Sequence, residues 1–593
     1  MKRLSFADAI FLYAETPETP MHVGSVTIFK PATQRDDLFT RFREHVASRL
    51  DLLPSSRRRL ELTPLGIDHP AWVIEDNLDL DYHVRHAVLP KPGRMEELRA
   101  LIGRLHAIPL DRGRPLWEYH LIEGLEDGGF AVYVKVHHST MDGLAGMATL
   151  GVTYDFAPGA VMERLPDRIV SPNEELSDFI ELTSTAVGDF IRQGWRAVKS
   201  LPGVARALTK AAPNFGRDAR FLFSYAKDMP RTPFNKIISS HRVFATSSLP
   251  LHEVKAFARS RGVTINDVVL ALCAGALRRY LAEHGALPKK PLTAGLPVSV
   301  RPPGNAQLNN QVLFTLSRLP TDVAEPLPRL AAAKAAGQEA KNLFADMRDL
   351  VTTDISILGA PLLVMGLTRL WAGARAANYL SPSFNVAISN VPGPRQTIYC
   401  VGSPATHYFP VSIPYHGCAL NITVQSYLDQ LDFGLTACGE TVPDAQRVAD
   451  FLVEDFAAMR KASAELSEPG AIEPPTEERR AAASLAAHKP IELAATREEP
   501  RTSKVEKGSV LTRSIEALSA TTEALSRQLG GSHASAAAAD AQRARPSVKA
   551  PKLASTTLAA TRVPRKAPAP VEPASPRSTP ARRKRRAASR GER

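Results

Sequence analysis

The stretch "YVKVHHSTMDGLAGM", residues 133–147, places two adjacent histidines at the end of an alternating, mostly apolar run. Residues 130–136 are rich in β-branched and aromatic side chains, a composition that indicates a strand. Asp142 and Gly143 follow the second histidine after a short polar turn. Because tandem imidazoles are costly to bury without partners, this strand end predicts a site in which a histidine, with an ordinary pKa of about 6.5, points in a fixed direction.

Residue types alone leave several chemistries open for His137, His138 and Asp142. Neighbouring residues on an extended strand point to opposite faces, so both histidines do not easily reach one ion and we expect no metal. A Ser-His-Asp triad through Ser139 lacks the GxSxG turn that presents a nucleophilic serine. A general-base histidine, or a pair of core histidines satisfied by hydrogen bonds, are the readings that stay open.

Strand-like and helix-like segments alternate on both sides of this stretch. Such alternation predicts an α/β fold with two halves, and a cleft between them as the default site. Strands are predicted at 22–30, 130–136, 291–301 and 384–394, and a hairpin at 419–438. Helices are predicted at 36–50, 95–110 and 265–285.

Two further segments have apolar faces of their own. Residues 174–212 form a long amphipathic stretch with basic residues on its polar side, which suits packing on a domain or contact with an anionic lipid surface. Residues 355–368 are strongly apolar but too short to cross a bilayer, so a buried helix or an interfacial segment is expected.

The charge is concentrated in the C-terminal tail. Lys and Arg outnumber Asp and Glu by 24 to 13 in residues 466–593, but only by 50 to 48 in residues 1–465. The tail lacks Phe, Tyr and Trp, which predicts disorder, apart from a short heptad-like pattern over 511–529. Its polybasic end can bind anionic lipid, nucleic acid or polyphosphate, or simply be solvated. The nearly neutral body gives no support for nucleic-acid binding through bulk charge.

The four cysteines, at 273, 400, 418 and 438, form no CxxC pair and match no zinc-site spacing. A reduced, intracellular protein is the expectation. The opening "MKRLSFADAIFLY" contains no apolar core of the length that a secretory signal needs.

Six quoted stretches together resemble one family. "HHSTMDG" matches the HHxxxDG motif of CoA-dependent acyltransferases and of the condensation domains of peptide synthetases. The other stretches are similar to blocks of the bacterial wax ester synthase/diacylglycerol acyltransferases, and the resemblance covers residues 4–460. Those stretches are "LSFADAIFLYAETPETPMHVG" (4–24), "RPLWE" (114–118), "TINDVVLALCAGALRRYL" (264–281), and the pair "SNVPGP" (389–394) and "LNITVQSYLDQLDFGL" (420–435).

The resemblance implies a two-lobed, chloramphenicol-acetyltransferase-like α/β fold with an active-site tunnel between the lobes. The domain organisation expected on this basis is an N-terminal lobe over 1–173, a helical linker over 174–235, a C-terminal lobe over 236–465 and a disordered basic tail over 466–593.

The resemblance also implies acyl transfer from acyl-CoA, a substrate rather than a cofactor, to diacylglycerol or a long-chain alcohol. His138 is then the general base, with His137 and Asp142 as the other catalytic residues of the motif. An alcohol has a pKa of about 15.7, so the base must take the proton as the oxygen attacks the thioester, and such help is typically worth about 10²–10⁴-fold. No covalent intermediate is implied. A cytoplasmic enzyme peripheral to the inner membrane or to lipid inclusions is expected.

The resemblance also implies supporting roles for residues around the catalytic histidine. We expect Asp142 to act as a strut that pairs with Arg301 and ties the two halves together, although Arg301 can also be a solvated strand end. Gly143 completes the turn. Pro115, Leu116 and Trp117 are expected to form a wall of the site, and for Asn266 and Asp267 helix capping is an equal interpretation. The oxyanion donor is not identifiable from the sequence.

Two other functions are compatible with parts of the sequence. A condensation domain that uses carrier-bound acyl groups shares HHxxxDG, but no carrier or adenylation segment adjoins the body. A non-catalytic tether of lipid inclusions suits the basic tail, but it leaves the intact motif without a purpose.

Overall fold

The computed structural model describes residues 2–32, 36–53, 55–62, 69–140, 150, 153–159, 229–299, 312–348, 376–378 and 382–466. Helices in this part of the chain are numbered in chain order as α1 (Phe6–Ala14), α2 (Leu38–Ala47), α3 (Leu80–His83), α4 (Met95–His106), α5 (Leu251–Ser260), α6 (Ile265–Glu283), α7 (Pro326–Arg348) and α8 (Ala445–Glu465). Two short 3-10 helices are Leu50–Leu52 and Ala376–Asn378.

The strands form three sheets and are numbered in the same way. They are β1 (Lys2–Arg3), β2 (His22–Phe29), β3 (Arg58–Glu61), β4 (Ala71–Ile74), β5 (Val84–Val88), β6 (Trp117–Glu123), β7 (Phe130–His137), β8 (Arg242–Pro250), β9 (Leu292–Ser299), β10 (Val312–Leu319), β11 (Val386–Val391), β12 (Tyr399–Cys400), β13 (Ser403–Val411), β14 (Leu420–Tyr427) and β15 (Gln430–Cys438).

The first large sheet has the strand order β12-β13-β2-β7-β6-β5. Its strand β7 pairs with β2 on one side and with β6 on the other. Along β7, Phe130 and Val132 enter one hydrophobic core, and Ala131 and Tyr133 enter the core on the opposite face. Burial on both faces explains why this strand is apolar at nearly every position, and it makes β7 a rigid support for the residues that follow it.

The second large sheet has the order β10-β9-β11-β14-β15-β8. The helix α6 contributes a broad buried surface to the core of this half, together with α7 and α8. A capping box starts α6: the Thr264 hydroxyl accepts from the Asp267 N–H at 3.2 Å, and the Asp267 carboxylate accepts from the Thr264 N–H at 2.9 Å. The predicted helix in this region is therefore confirmed, with its start set by both side chains.

The two halves are interleaved rather than separate. The strands β12 and β13 come from the C-terminal half but complete the first sheet, where β13 pairs with β2. Close backbone contacts need glycine here: a Cβ at Gly434 of β15 would lie 1.8 Å from the Pro410 carbonyl oxygen, and a Cβ at Gly103 of α4 would lie 2.5 Å from that of Arg242. The two-lobed α/β fold is confirmed, whereas the domain boundaries at 173, 235 and 465 stay predictions.

A small third sheet, β1-β4-β3, lies at the start of the chain. Leu60 of β3 and Trp72 of β4 pack with the apolar side of α1 and with Leu116. Ser5 caps α1 by accepting the Asp8 N–H at 3.2 Å. This cluster fixes α1 beside the end of β7.

The secondary structure predicted within the described ranges is confirmed, with ends that differ by a few residues, as is usual for element boundaries. The amphipathic stretch 174–212, the apolar run 355–368 and the tail from 467, with its 511–529 pattern, lie outside the described residues.

None of the described helices is by itself both long and apolar enough to cross a bilayer. The consecutive pair α5 and α6 meets that criterion only when the two are taken together, with a bend of 101° between them.

Candidate active site

The histidine turn begins where β7 ends. His137 is the last residue of the strand, and its N–H donates to the Leu116 carbonyl at 3.0 Å. The N–H of His138 donates to the Met21 carbonyl at 2.9 Å. Both histidines are therefore attached through their backbones to neighbouring segments, one on each side, which fixes the position from which each side chain starts.

His137 is almost completely buried, with 1% of its surface exposed. Its Nδ1 accepts the Ser139 N–H at 3.1 Å and lies 2.8 Å from the Ser139 Oγ. Because a backbone N–H can only donate, Nδ1 carries the lone pair and the proton of the neutral ring is on Nε2. That Nε2 faces the Glu15 Oε1 at 3.4 Å, which is long for a hydrogen bond.

Glu15 is the anchor of this arrangement. Its Oε1 accepts the Met21 N–H at 2.9 Å, and its Oε2 accepts from the Arg112 Nε at 2.9 Å and Nη2 at 2.7 Å. Burial, the largest influence, raises the pKa of Glu15. The His137 hydrogen bond, Arg112 and the Met21 N–H outweigh burial, and the pKa falls from 4.5 to about 2. The carboxylate is therefore ionised at neutral pH.

Ser139, His137 and Glu15 have the residue types of a catalytic triad, but the geometry does not fit one. Ser139 is 1% exposed and His137 is equally sealed, so no substrate carbonyl reaches the serine hydroxyl. The serine also lies on Nδ1 and the carboxylate faces Nε2, which is the reverse of the arrangement in a catalytic triad. The arrangement holds the turn in place, in agreement with the sequence-based preference against a triad.

His138 has different surroundings from its neighbour. It is half-buried, and its imidazole stacks on the phenyl ring of Phe11 with centroids 4.0 Å apart and planes 12° from parallel. Of the two histidines, it is the one whose side chain is not enclosed in the protein.

Asp142 and Gly143 of the motif lie outside the described residues, and so does Arg301. The proposed Asp142–Arg301 pair therefore stays a prediction.

Pro115, Leu116 and Trp117 lie directly beside the histidine turn but in different surroundings. All three are buried. Leu116 packs in the cluster that holds α1, whereas Trp117 enters the core on the other side, stacks on His83 with centroids 4.3 Å apart and donates from Nε1 to the Ser56 carbonyl at 2.8 Å. The backbone of Leu116 supports His137, and the indole of Trp117 contributes to the core beneath the strand.

Asn266 and Asp267 begin α6. The Asp267 carboxylate is 4% exposed and is used by the capping box, and a Cβ at Gly337 of α7 would lie 3.2 Å from its Oδ1. Asn266 is half-buried in the first turn of the same helix. The capping interpretation is confirmed for Asp267. It is wrong for Asn266, which lies inside the helix, since the N-cap is Thr264.

A buried ion pair lies close to the site, because Lys135 precedes His137 by two residues on β7. Lys135 of β7 is 1% exposed, and its Nζ lies 2.8 Å from a Glu118 carboxylate oxygen and donates to the Ile108 carbonyl at 3.0 Å. Burial lowers the pKa of Lys135, whereas Glu118 raises it. Burial raises the pKa of Glu118, but His120, Lys135 and Arg85 lower it to about 2. This pair fixes the end of α4 against the sheet.

Sequence reasoning missed Phe11, Glu15 and Arg112. The available signal was a carboxylate directly after the last turn of a mostly apolar helix, four residues after an aromatic side chain. Within the described residues, no group of three or more His, Cys, Asp or Glu side chains is arranged to hold a metal ion.

The fold has a counterpart among solved structures. The wax ester synthase/diacylglycerol acyltransferase from Marinobacter aquaeolei VT8 is 32% identical, with a TM-score of 0.56, and the match covers 78% of this chain and 100% of that one. The two interleaved halves and the histidine turn at the end of β7 are thus those of an α/β acyltransferase.

Family models and curated relatives extend this match. The wax ester synthase/diacylglycerol acyltransferase catalytic domain model matches residues 4–269, and the model of the C-terminal domain matches residues 308–460. A probable diacylglycerol O-acyltransferase of Mycobacterium tuberculosis strain H37Rv is 35% identical over 463 residues, which are 77% of this chain and 98% of that protein. A second, putative one from the same strain is 36% identical over 468 residues, covering 77% and 99%. The chain belongs to the wax ester synthase/diacylglycerol acyltransferase family.

Proposed function

We propose that this acyltransferase moves a long-chain acyl group from acyl-CoA to the hydroxyl group of diacylglycerol, with a long-chain alcohol as the second acceptor. The relatives from Mycobacterium tuberculosis support this choice, since they are named as diacylglycerol O-acyltransferases. The observation that carries the mechanism is the contrast between the two histidines: His137 is sealed beside Glu15, and His138 is half-buried against Phe11.

His138 acts as the general base. Neutral imidazole takes the hydroxyl proton while the oxygen forms a bond to the thioester carbonyl carbon, because an alcohol of pKa about 15.7 does not ionise beforehand. Collapse of the tetrahedral intermediate breaks the C–S bond, and the imidazolium returns the proton to the thiolate of CoA. Ester and free CoA are the products, and the base is regenerated.

Direct transfer without an acyl-enzyme is supported by the burial of Ser139 and of the four cysteines. Ser139 is enclosed, and Cys273, Cys400, Cys418 and Cys438 are all buried. Burial also raises the pKa of Cys273 and Cys418 to about 12, which keeps these thiols protonated and weakly nucleophilic.

Asp142 and Arg301 are proposed to pair and to pin the turn that follows His138. Breaking one partner of a buried ion pair commonly costs about 3–5 kcal/mol. Asp142→Asn should therefore lower both the unfolding midpoint and the turnover rate, and a variant that keeps both unchanged would remove this role.

The protein is proposed to work at a lipid surface, in the cytoplasm and peripheral to the membrane or to lipid inclusions, because both substrates and the product carry long acyl chains. The basic residues of 466–593 favour an anionic surface, at about 1 kcal/mol for each Lys or Arg near it. Full-length protein should co-sediment with anionic vesicles more strongly than a chain ending at 465, and equal binding by the two would exclude the tail from this role. Vesicles of neutral lipid serve as the control. Binding of the two chains to RNA and to polyphosphate tests the other partners of the tail.

The activity is tested with labelled palmitoyl-CoA offered with diacylglycerol or with hexadecanol, for the wild type and His138→Ala. Labelled triacylglycerol from the wild type, and its loss in the variant, support the proposal. Release of free CoA without ester, or acyl transfer only from a carrier protein, would contradict it.

A further inference from the structure

Phe11 is placed to control the orientation of the His138 ring. The backbone of His138 is fixed by Met21, but a backbone bond does not determine how the imidazole turns about its side-chain torsions. The nearly parallel phenyl ring, at 4.0 Å between centroids, limits that rotation to positions in which the two planes stay stacked.

Stacking suits a general base because the two ring nitrogens carry their lone pair and proton in the ring plane. A phenyl face covers one side of the imidazole and competes for neither nitrogen, since it offers no strong donor or acceptor.

The helix α1 and the residue that caps its C-terminal end contact both histidines. Phe11 and Glu15 are four residues apart, so their side chains lie one above the other, with Phe11 on His138 and Glu15 facing His137 at 3.4 Å. The Arg112 Nη2 also donates to the Leu12 carbonyl at 2.7 Å, which fixes the C-terminal end of the helix.

Phe11 lies on the side of α1 that faces away from the cluster that packs the helix. The cluster that packs α1 uses its other side, through Ala9, Leu12 and Tyr13, and Phe11 is only half-buried. A simple packing role would therefore leave little reason for an aromatic ring at this position.

We infer that Phe11 is a positioning residue that holds the His138 imidazole in the plane in which a ring nitrogen reaches the acceptor hydroxyl. This inference rests on the proposed role of His138 as general base. Its consequence is specific: loss of the flat phenyl face reduces turnover while substrate binding stays nearly intact.

The test uses the full chain with Phe11→Leu, Phe11→Tyr and a matched control on the same helix, Ile10→Leu, whose side chain is 37% exposed. We expect kcat of Phe11→Leu to fall by about 10- to 100-fold, the scale of a misplaced catalytic group, with KM for palmitoyl-CoA and diacylglycerol changed less than about 3-fold. Phe11→Tyr keeps the stacking face and should retain kcat within about 3-fold, and Ile10→Leu should match the wild type.

A spectroscopic measurement reports the stacking without turnover. In protein labelled with ¹³C-histidine, the His138 ring resonance, assigned by its loss in His138→Ala, should be displaced by the ring current of Phe11. It should move in Phe11→Leu and stay in place in Ile10→Leu.

Normal kcat in Phe11→Leu, an unmoved His138 resonance, or a loss of activity that Phe11→Tyr shares in full would each overturn the inference. An active His138→Ala would instead overturn the proposed function, so the two failures are distinguishable.

Discussion

Replacing Glu15 by Gln removes the carboxylate that faces His137 and binds Arg112 but keeps the size of the side chain. The pKa of Glu15 falls from 4.5 to about 2 in the folded protein, with burial opposing and His137 and Arg112 favouring the charged form. At 1.36 kcal/mol for each unit, this depression corresponds to about 3 kcal/mol of folding free energy at neutral pH. The side chain is 8% exposed, so solvent screens the interaction little.

The sign of the pH dependence follows from the direction of the shift. A depressed pKa gives a contribution that is fully present above pH 4.5 and is lost as the pH falls towards about 2. The difference in unfolding free energy between the wild type and Glu15→Gln should be about 3 kcal/mol at pH 7.5 and pH 5.5, and about 2 kcal/mol at pH 3.5.

Urea unfolding followed by fluorescence at the three pH values measures this difference. Glu126→Gln is a matched control, because Glu126 is 62% exposed and lies 3.8 Å from Arg94 in a surface pair, where ion pairs contribute little. Other carboxylates titrate in both proteins, so only the difference reports Glu15. A difference below about 1 kcal/mol at pH 7.5, or one that does not shrink at pH 3.5, would refute the reasoning.

Three further substitutions separate structural from catalytic roles. Asp267→Ala removes half of the capping box and should lower the unfolding free energy by about 1 kcal/mol, with kcat unchanged. Asp267→Asn still accepts the Thr264 N–H and should lose less stability. A loss of kcat in both variants without a loss of stability would instead assign Asp267 a catalytic role. Trp117→Phe removes the donor to the Ser56 carbonyl and should lower the unfolding free energy, measured in urea, by about 1–3 kcal/mol. An unchanged unfolding free energy would contradict this prediction. Lys135→Met leaves the buried Glu118 carboxylate with only Arg85 and His120 as partners and removes the donor to the Ile108 carbonyl, so it should cost about 1–3 kcal/mol; a neutral effect in the same assay would show that Lys135 contributes nothing.

Local pattern was sufficient to predict the elements that carry the site. The β-branched and aromatic run before the histidines predicted β7, because a strand buried on both faces must be apolar at successive positions. The apolar run over 265–285 likewise predicted α6, and Asp267 was a capping candidate, since capping is decided within one turn of chain; the N-cap itself, Thr264, was not predicted.

Long-range pairing was not predictable in the same way. The strand β13 joins β2 across some 380 residues of chain, and nothing within either strand specifies that partner. Glu15 was missed for a related reason: its importance comes from Arg112 and His137, which are distant in sequence and meet it only after folding. The stacking of Phe11 on His138 depends on the same folded contacts.

The central claim is that the half-buried imidazole of His138 takes the proton of the acceptor hydroxyl. Its most direct test is the initial rate of triacylglycerol formation from labelled palmitoyl-CoA and diacylglycerol by His138→Ala, after its unfolding midpoint has been shown to match the wild type. A fall in kcat of about 10²–10⁴-fold is predicted. A variant that turns over within about 3-fold of the wild type would contradict the claim.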